Sequence, residues 1–244
     1  MKKYIVFVLV LFLILTCKKA TKQSSNKEMS AEVFQEKSEW IILFDGTNFN
    51  NWRGYLNEDM YEEWTIEDGA MAFTPGVKGG KNIISKEKYT NFILSLEWKI
   101  SEGGNSGIFW DVFEDEKFPE PYQTGPEIQV LDNERHPDSF LANGTRKAGA
   151  IYDMLAYPPE NVNPAGQWNL CVLEIDYNSN QGKINMNNKG AISFPLYGTD
   201  WNNLVLNSKF KDWEGFAKHK TGHIGLQDHS NKVWYRNIKI KELE

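Results

Sequence analysis

Cysteine is almost missing from this chain: Cys17 and Cys171 are the two it has. Cys17 follows an N-terminal apolar run, so Cys171 stands alone in the remainder and no intradomain disulfide can form. Between Leu170 and Val172, Cys171 reads as a small buried hydrophobe. Excess basic charge is missing too. Lys and Arg number 27 against 33 Asp and Glu, a formal charge of −6, which becomes −8 when residues 1–16, with Lys2 and Lys3, are removed. No basic patch is visible, which argues against nucleic-acid binding. The one long apolar run, Ile5 to Leu15, is too short to span a bilayer. Helical periodicity is confined to the neighbourhood of Leu204–Lys211, and no alternation of strands with helices is visible.

The N-terminus carries the signs of a targeting segment. Met1-Lys2-Lys3 is a positive n-region, Ile5–Leu15 a short apolar stretch, and Leu13-Ile14-Leu15-Thr16-Cys17 resembles a bacterial lipobox. The expectation is a signal peptide over 1–16 and a lipid on Cys17, anchoring the chain in the cell envelope, facing the periplasm. Residues 17–38, polar and rich in lysine, read as a flexible tether. Residues 39–244 are long enough for one domain with a sizeable core.

That domain reads as all-β. Phe92, Leu94, Leu96, Trp98 and Ile100 alternate with Ile93, Ser95, Glu97, Lys99 and Ser101, as a half-buried strand requires. Further strands are expected at Trp40–Phe44, Trp64–Glu67, Ala70–Phe73, Ser106–Phe113, Glu127–Leu131, Ala148–Asp153, Asn169–Asp176, Lys183–Asn187, Ala191–Phe194, Gly222–Gln227 and Val233–Lys241. Many short strands separated by Gly, Asn and Asp turns imply a sandwich or jelly roll. Two long loops, Glu114–Thr124 and Ala156–Gln167, are rich in proline and acids. The first runs directly into the most polar strand, which favours a functional role for it.

That strand is Gly125-Pro126-Glu127-Ile128-Gln129-Val130-Leu131-Asp132-Asn133. Glu127 and Gln129 point to one face, Ile128 and Val130 to the other. Asp132 has the opposite parity, and a β-bulge at Val130 or Leu131 would bring it round to join them. Polar groups gathered on one face of a sheet address a ligand or a cation; the plain alternative is a solvated edge. His136 follows within a few residues. In Gly222-His223-Ile224-Gly225-Leu226-Gln227-Asp228-His229, the residues His223, Gln227 and His229 share one parity. With Asp132 nearby they would suit a divalent metal ion, although the spacing is no zinc signature, and hydrogen-bonded structural histidines fit as well. Gly103-Gly104-Asn105-Ser106-Gly107 lacks the following helix that a phosphate site needs, and reads instead as a turn allowing close approach. Nine Trp, ten Tyr and fourteen Phe must mostly fill the core. Trp110, Tyr122, Tyr152 and Trp213 flank the polar segments, as aromatic faces that hold sugars do.

These segments carry a family resemblance. Leu43-Phe44-Asp45-Gly46-Thr47 with Trp52, Gly104–Ile108, Gly125–Asn133, Ala148–Asp153, Ser208-Lys209-Phe210, Gly222–His229 and Trp234–Ile238 together resemble the bacterial 3-keto-disaccharide hydrolase domain. The resemblance spans residues 40–243; Ser230 departs from it where relatives have Gly. It implies a concanavalin A-like jelly-roll sandwich of two antiparallel sheets and cleavage of glycosides whose sugar carries a ketone at C3. It adds Asn105 and Lys209 to Trp110, Gln129, Tyr152, His223 and Gln227 as candidate substrate contacts. Glu127-x-Gln129-x-x-Asp132 echoes the Glu-x-Asp-x-x-Glu motif of family 16 glycosidases on the same fold, but Gln129 replaces the central acid. A 3-keto substrate needs a base for its acidified C2 proton, an enolate stabiliser and an acid. Glu127 or His136 is expected as the base, with Asp132 orienting a histidine or a cation. His223, Gln227 and His229 are expected at the enolate, His229 also in proton transfer. Two other readings remain at this point: a non-catalytic glycan-binding lipoprotein, and a conventional glycosidase using Glu127 and Asp132.

Overall fold

A computed structural model describes residues 39–76 and 80–244. The expected signal segment, Cys17 and the tether lie outside the described residues. Among the described residues no helix is long and apolar enough to cross a membrane.

The strands follow the alternation of the sequence. In chain order they are β1 (Ile41–Phe44), β2 (Trp52–Gly54), β3 (Trp64–Glu67), β4 (Ala70–Phe73), β5 (Ile83–Tyr89), β6 (Phe92–Ile100), β7 (Asn105–Val112) and β8 (Glu127–Leu131). After a long irregular stretch come β9 (Asn169–Asp176), β10 (Gln181–Met186), β11 (Ala191–Phe194), a single helix α1 (Thr199–Leu206), β12 (Gly222–Leu226) and β13 (Val233–Glu242). They form two antiparallel sheets. One has the order β11-β10-β9-β6-β13-β4-β3, with β1 also on β13; the other is β2-β5-β12-β7-β8. This is the jelly-roll sandwich expected.

The layers close on each other through the predicted alternation. Phe92, Leu94, Leu96, Trp98 and Ile100 of β6 all face inward and are buried. They meet Ile108, Trp110, Ile128, Val130, Ile224 and Leu226 from the smaller sheet in one apolar cluster. Each fully buried Ile or Leu of this kind contributes about 1.5–3 kcal/mol. One polar link crosses this core: Tyr235 of β13 and Ser106 of β7 share a hydrogen bond of 2.7 Å, and Ser106 Oγ also donates to the Gln227 carbonyl. On the outer face of the larger sheet, cations alternate with indoles in the order Arg236, Trp168, Lys99, Trp234, Lys232, at 3.9, 5.0, 4.3 and 5.2 Å. Glu97 holds Arg236 at one end and Glu67 holds Lys232 at the other. The indole faces on this side are thereby covered by the protein's own charges.

The structure corrects several expectations. Strands β2 and β5 escape the sequence reading, β5 because its second half, Lys86-Glu87-Lys88, is exposed and polar. Ala148–Asp153 is no strand. Gly149 at φ +86° and Asp153 at φ +60° break the extended chain, and the segment lies along the free edge of β8 instead. There Gln129 N–H donates to Ala150 O, Gly149 N–H to Gln129 O, and Tyr152 N–H to Glu127 O, at 2.8 to 3.0 Å. The helix is earlier than expected, ending at Leu206, so Lys209 lies in the turn beyond it. The expected bulge of β8 is absent, since β7 and β8 pair without a register shift from Asn105–Leu131 to Phe109–Glu127. A bulge does occur one strand over. Against β12, β7 carries an extra residue between Phe109 and Val112, and Asp111 takes φ +55°.

Asp111 is buried there, and its carboxylate accepts the Tyr177 hydroxyl, which ties the β7 bulge to the turn after β9. Burial pushes its pKa up to about 8, against a smaller opposing effect of the Tyr177 hydrogen bond. With the folded value above the unfolded 3.8, its contribution to stability is complete below pH 3.8 and is lost as pH rises through about 8. Asp111→Asn keeps the shape and tolerates positive φ. In thermal melts between pH 5 and 8, the wild-type Tm falls more steeply than that of Asp111→Asn; parallel slopes would mean Asp111 is ionised when folded.

Candidate active site

The outer face of the smaller sheet is where the polar residues gather. Directly opposed residues of an antiparallel pair share a face, so Glu127 with Phe109, Gln129 with Gly107, and Asn105 all point outward. Loops roof this face and leave a cleft of about 750 Å³. Glu127, Gln129 and Asn105 line its floor; Gln227, Asp228 and His229 enter as the chain leaves β12. The loop after β7 contributes Glu120, Tyr122 and Gln123; the edge segment adds Tyr152, and the turn after α1 adds Lys209, Phe210 and Trp213. The first long acidic loop thus serves the cleft. The second does not: its Tyr157 hydroxyl donates to Gly190 O and accepts Met186 N–H, far along the other sheet.

The carboxyl group of Glu127 is the chemical centre of this cleft. A Cβ on Gly107 would lie 2.2 Å from Glu127 Oε1, so the absence of a side chain there is what lets the carboxyl lie across β7. Glu127 is 6% exposed. Burial raises its pKa well above the ordinary 4.5; the Lys209 ammonium opposes that rise and Asp138 reinforces it. Lys209, at the rim, has its pKa lowered by partial burial, with the Glu127 charge acting the other way. The Lys209 Nζ lies 4.2 Å from the Tyr152 ring centre and 5.1 Å from that of Phe210. Phe210 in turn stacks on Phe216 at 3.9 Å and meets Trp213 edge-on at 5.0 Å. Tyr152 donates its hydroxyl to Asp138 Oδ2 at 2.8 Å.

Three amides of the cleft have a buried oxygen without a hydrogen-bond partner: Asn105 Oδ1, Gln129 Oε1 and Gln227 Oε1, half of the six such atoms among the described residues. Unsatisfied amides in a core are costly, whereas in a cleft a polyhydroxyl ligand can supply the partners. At the rim, the rings of His136 and His229 stand 6.3 Å apart, edge to face. Partial burial and the neighbouring His136 hold His229 below its ordinary pKa. The far end is acidic. Glu120 accepts from Asn82 Nδ2 at 2.6 Å, and burial raises its pKa, with the Asp228 charge adding to it.

Of the residues expected from sequence, Glu127, Gln129, Asn105, Tyr152, Lys209, Gln227 and His229 meet in this cleft, with His136 beside His229. Three do not. Asp132 is fully buried behind the strand end, where its carboxylate accepts Gly103 N–H at 2.7 Å, Glu134 N–H at 3.0 Å and Arg135 Nη1 at 3.2 Å. Without a bulge in β8 nothing turns it toward Glu127, and it closes a loop. Trp110 faces the inter-sheet core against Phe194 at 6.0 Å, because its parity is that of Ile108. His223 Nδ1 donates to Ser85 O, 2.7 Å away, beside Lys88 and the Arg53–Glu114 pair; irregular pairing on both sides of β12 separates it from Gln227. Among the described residues no three His, Cys, Asp or Glu side chains are grouped to hold a metal ion. Sequence reasoning missed Glu120, Asn82 and Asp138. Glu120 sits in the loop already marked as functional, but no periodicity there says which acid turns inward.

A consequence of the Gly107 contact can be measured directly. In Gly107→Ala the added methyl displaces the Glu127 carboxyl from its buried seat. Carbon-detected NMR titration of Glu127 then finds its pKa falling toward 4.5. An unchanged titration would show that the glycine does not set the environment.

With this geometry in place, comparison with known proteins is specific. Residues 39–241 match the family described as the 3-keto-alpha-glucoside-1,2-lyase-like domain. A 3-keto-disaccharide hydrolase of Bacteroides thetaiotaomicron is 36% identical over 233 residues, covering 84% of this chain and 79% of that protein. Two solved structures described as candidate glycosyl hydrolases, both from Parabacteroides distasonis ATCC 8503, have the same fold. One is 29% identical with a TM-score of 0.76, covering 84% of this chain and 94% of its own. The other is 27% identical with a TM-score of 0.62, covering 84% and 100%. The chain belongs to the 3-keto-alpha-glucoside-1,2-lyase-like family, and it is a glycosidic-bond-cleaving enzyme.

Proposed function

We propose that this enzyme cleaves 3-keto-glycosides by removing the C2 proton, expelling the aglycone from C1 and adding water across the resulting double bond. The name of the Bacteroides relative supports the substrate class. The observation that carries the mechanism is the buried carboxyl of Glu127 on the cleft floor, raised in pKa and sharing the cleft with the Lys209 ammonium. A carboxylate made more basic by burial suits a carbon acid better than an ordinary one does. A conventional retaining or inverting pair would need a second carboxyl about 5–9.5 Å away; Asp132 is committed to the loop after β8, and Glu120 is held by Asn82 at the other end of the cleft.

In this reading the Glu127 carboxylate takes the C2 proton, and the electrons of that C–H bond move to the C3 oxygen. Lys209 meets the enolate charge, and the unpartnered amide oxygens of Asn105, Gln129 and Gln227 accept hydrogen bonds from the sugar hydroxyls. Tyr152 and Trp213 face the apolar side of the ring. As the enolate collapses, the C1–O bond breaks and the departing oxygen takes a proton from the His229 imidazolium. Neutral His229, favoured by its lowered pKa, then draws a proton from water as its oxygen adds to C1, and Glu127, its proton exchanged with solvent in the open cleft, protonates C2. Both groups end as they began.

The test is a 3-keto-glucoside against its unoxidised counterpart, run in D2O. Turnover of the keto substrate alone, with deuterium incorporated at C2 of the product, is expected. Direct hydrolysis would leave C2 unlabelled and overturn the mechanism. Glu127→Gln loses about 10²–10⁴-fold in kcat, the usual weight of a general base. We further propose that Cys17 carries a lipid that holds the enzyme at the cell envelope, facing the periplasm, on the strength of the lipobox-like Leu13–Cys17. Radiolabelled palmitate incorporated by the full chain and lost in Cys17→Ala is the expected result; equal labelling would refute it.

A further inference from the structure

Lys209 stands three residues beyond the end of α1, in a turn whose neighbouring Ser208 and Phe210 N–H groups are satisfied locally, by Val205 O and Ser208 Oγ. Its backbone is fixed from outside by Asp153. The Lys209 N–H donates to Asp153 Oδ2 at 2.8 Å, while the other oxygen, Oδ1, accepts Arg146 Nε at 2.6 Å. Asp153 is itself held in the left-handed region at φ +60°, with its N–H on Thr145 O at 2.8 Å. Its side chain is 10% exposed and that of Arg146 is 24% exposed, so the pair is shielded from water. Arg146 lies 5.6 Å from the centre of the Tyr152 ring, and the Lys209 Nζ lies 4.2 Å from it. Two cations thus converge on one tyrosine, and Asp153 joins them.

We propose that Asp153 is a positioning residue: it seats the Lys209 backbone and neutralises Arg146, so that the Lys209 ammonium alone is presented to the reacting sugar. This rests on the assignment of Lys209 to the enolate. Without Asp153, Arg146 would stand as an unbalanced charge beside Lys209 and favour loss of its proton. The charged groups around Lys209 are Glu127, Asp138 and Asp153, which hold its proton, and Arg146, which repels it. Tyr152 completes the enclosure, neutral because burial and Asp138 raise its pKa. Local backbone constraint and local charge therefore come from one carboxylate. A purely structural Asp153 would supply only the first.

The two roles separate in the pH dependence of kcat for an aryl 3-keto-glucoside. Asp153→Asn keeps an acceptor for the Lys209 N–H and removes the charge. It is expected to move the basic limb to lower pH and so to lower kcat, at pH values above the new limb, on the order of ten- to a hundredfold, a factor of about ten for each unit of displacement. Arg146→Gln is expected to move the same limb to higher pH. Opposite displacements support the proposal; limbs that stay in place or move together overturn it, and Arg146→Gln decides alone if Asp153→Asn does not fold. Lys209→Met, measured in parallel, isolates the underlying assignment. If it retains wild-type kcat, the role of Lys209 fails; if it is inactive while the limbs stay fixed, the role of Asp153 alone fails.

Discussion

Everything in the cleft depends on keeping a carboxyl group out of water on a sheet face. Glu127 achieves this because Gly107 leaves a vacant patch on the neighbouring strand and because three separate segments roof it. Burial of a carboxylate is unfavourable unless opposite charge or hydrogen bonding compensates it. Here the compensation comes from Lys209, which is itself made less basic by partial burial. The pair is poised: each group resists the shift that the surroundings impose on the other. The proton abstraction proposed for this cleft calls for such a base, strong for a carboxylate and accompanied by positive charge.

The remainder of the molecule is scaffold for that arrangement. The inter-sheet core fixes β7 and β8 through Ile108, Trp110, Ile128 and Val130, so the outward residues between them have no freedom of register. The edge of β8 is capped by Ala148–Asp153, which brings Tyr152 alongside Glu127 and Asp153 beneath Lys209. On the opposite face of the sandwich, the indole and cation ladder from Arg236 to Lys232 occupies its own aromatic surfaces. That leaves the cleft as the place where aromatic faces meet unsatisfied polar groups.

Much of this was legible as pattern. The alternation in β6, β8 and β9 gives those strands to within a residue, and Glu127 with Gln129 lie on one face as parity demands. The error at Trp110 comes from closeness in sequence to the polar segments; parity with Ile108 puts it in the core. Asp132 and His223 were misplaced for a different reason. Both depended on irregularities of pairing: a bulge absent from β8, and register shifts present around β12. Such shifts come from backbone geometry between strands far apart in sequence, and no local spacing encodes them. Ala148–Asp153 was read as a strand because its apolar residues favour one, whereas Gly149 and Asp153 adopt positive φ and fold it against the β8 edge.

The sequence by itself determined the class of fold, since period-two alternation between turn residues admits little else, and it determined which residue types could do the chemistry. It also carried the resemblance that names the family. Only the tertiary structure decided which polar residues meet. Glu127 and Lys209 are 82 positions apart, and what brings them together is the packing of one loop against one sheet edge. Their shifted acidities belong to that packing, because desolvation is a property of the assembled cleft and of no single stretch of chain.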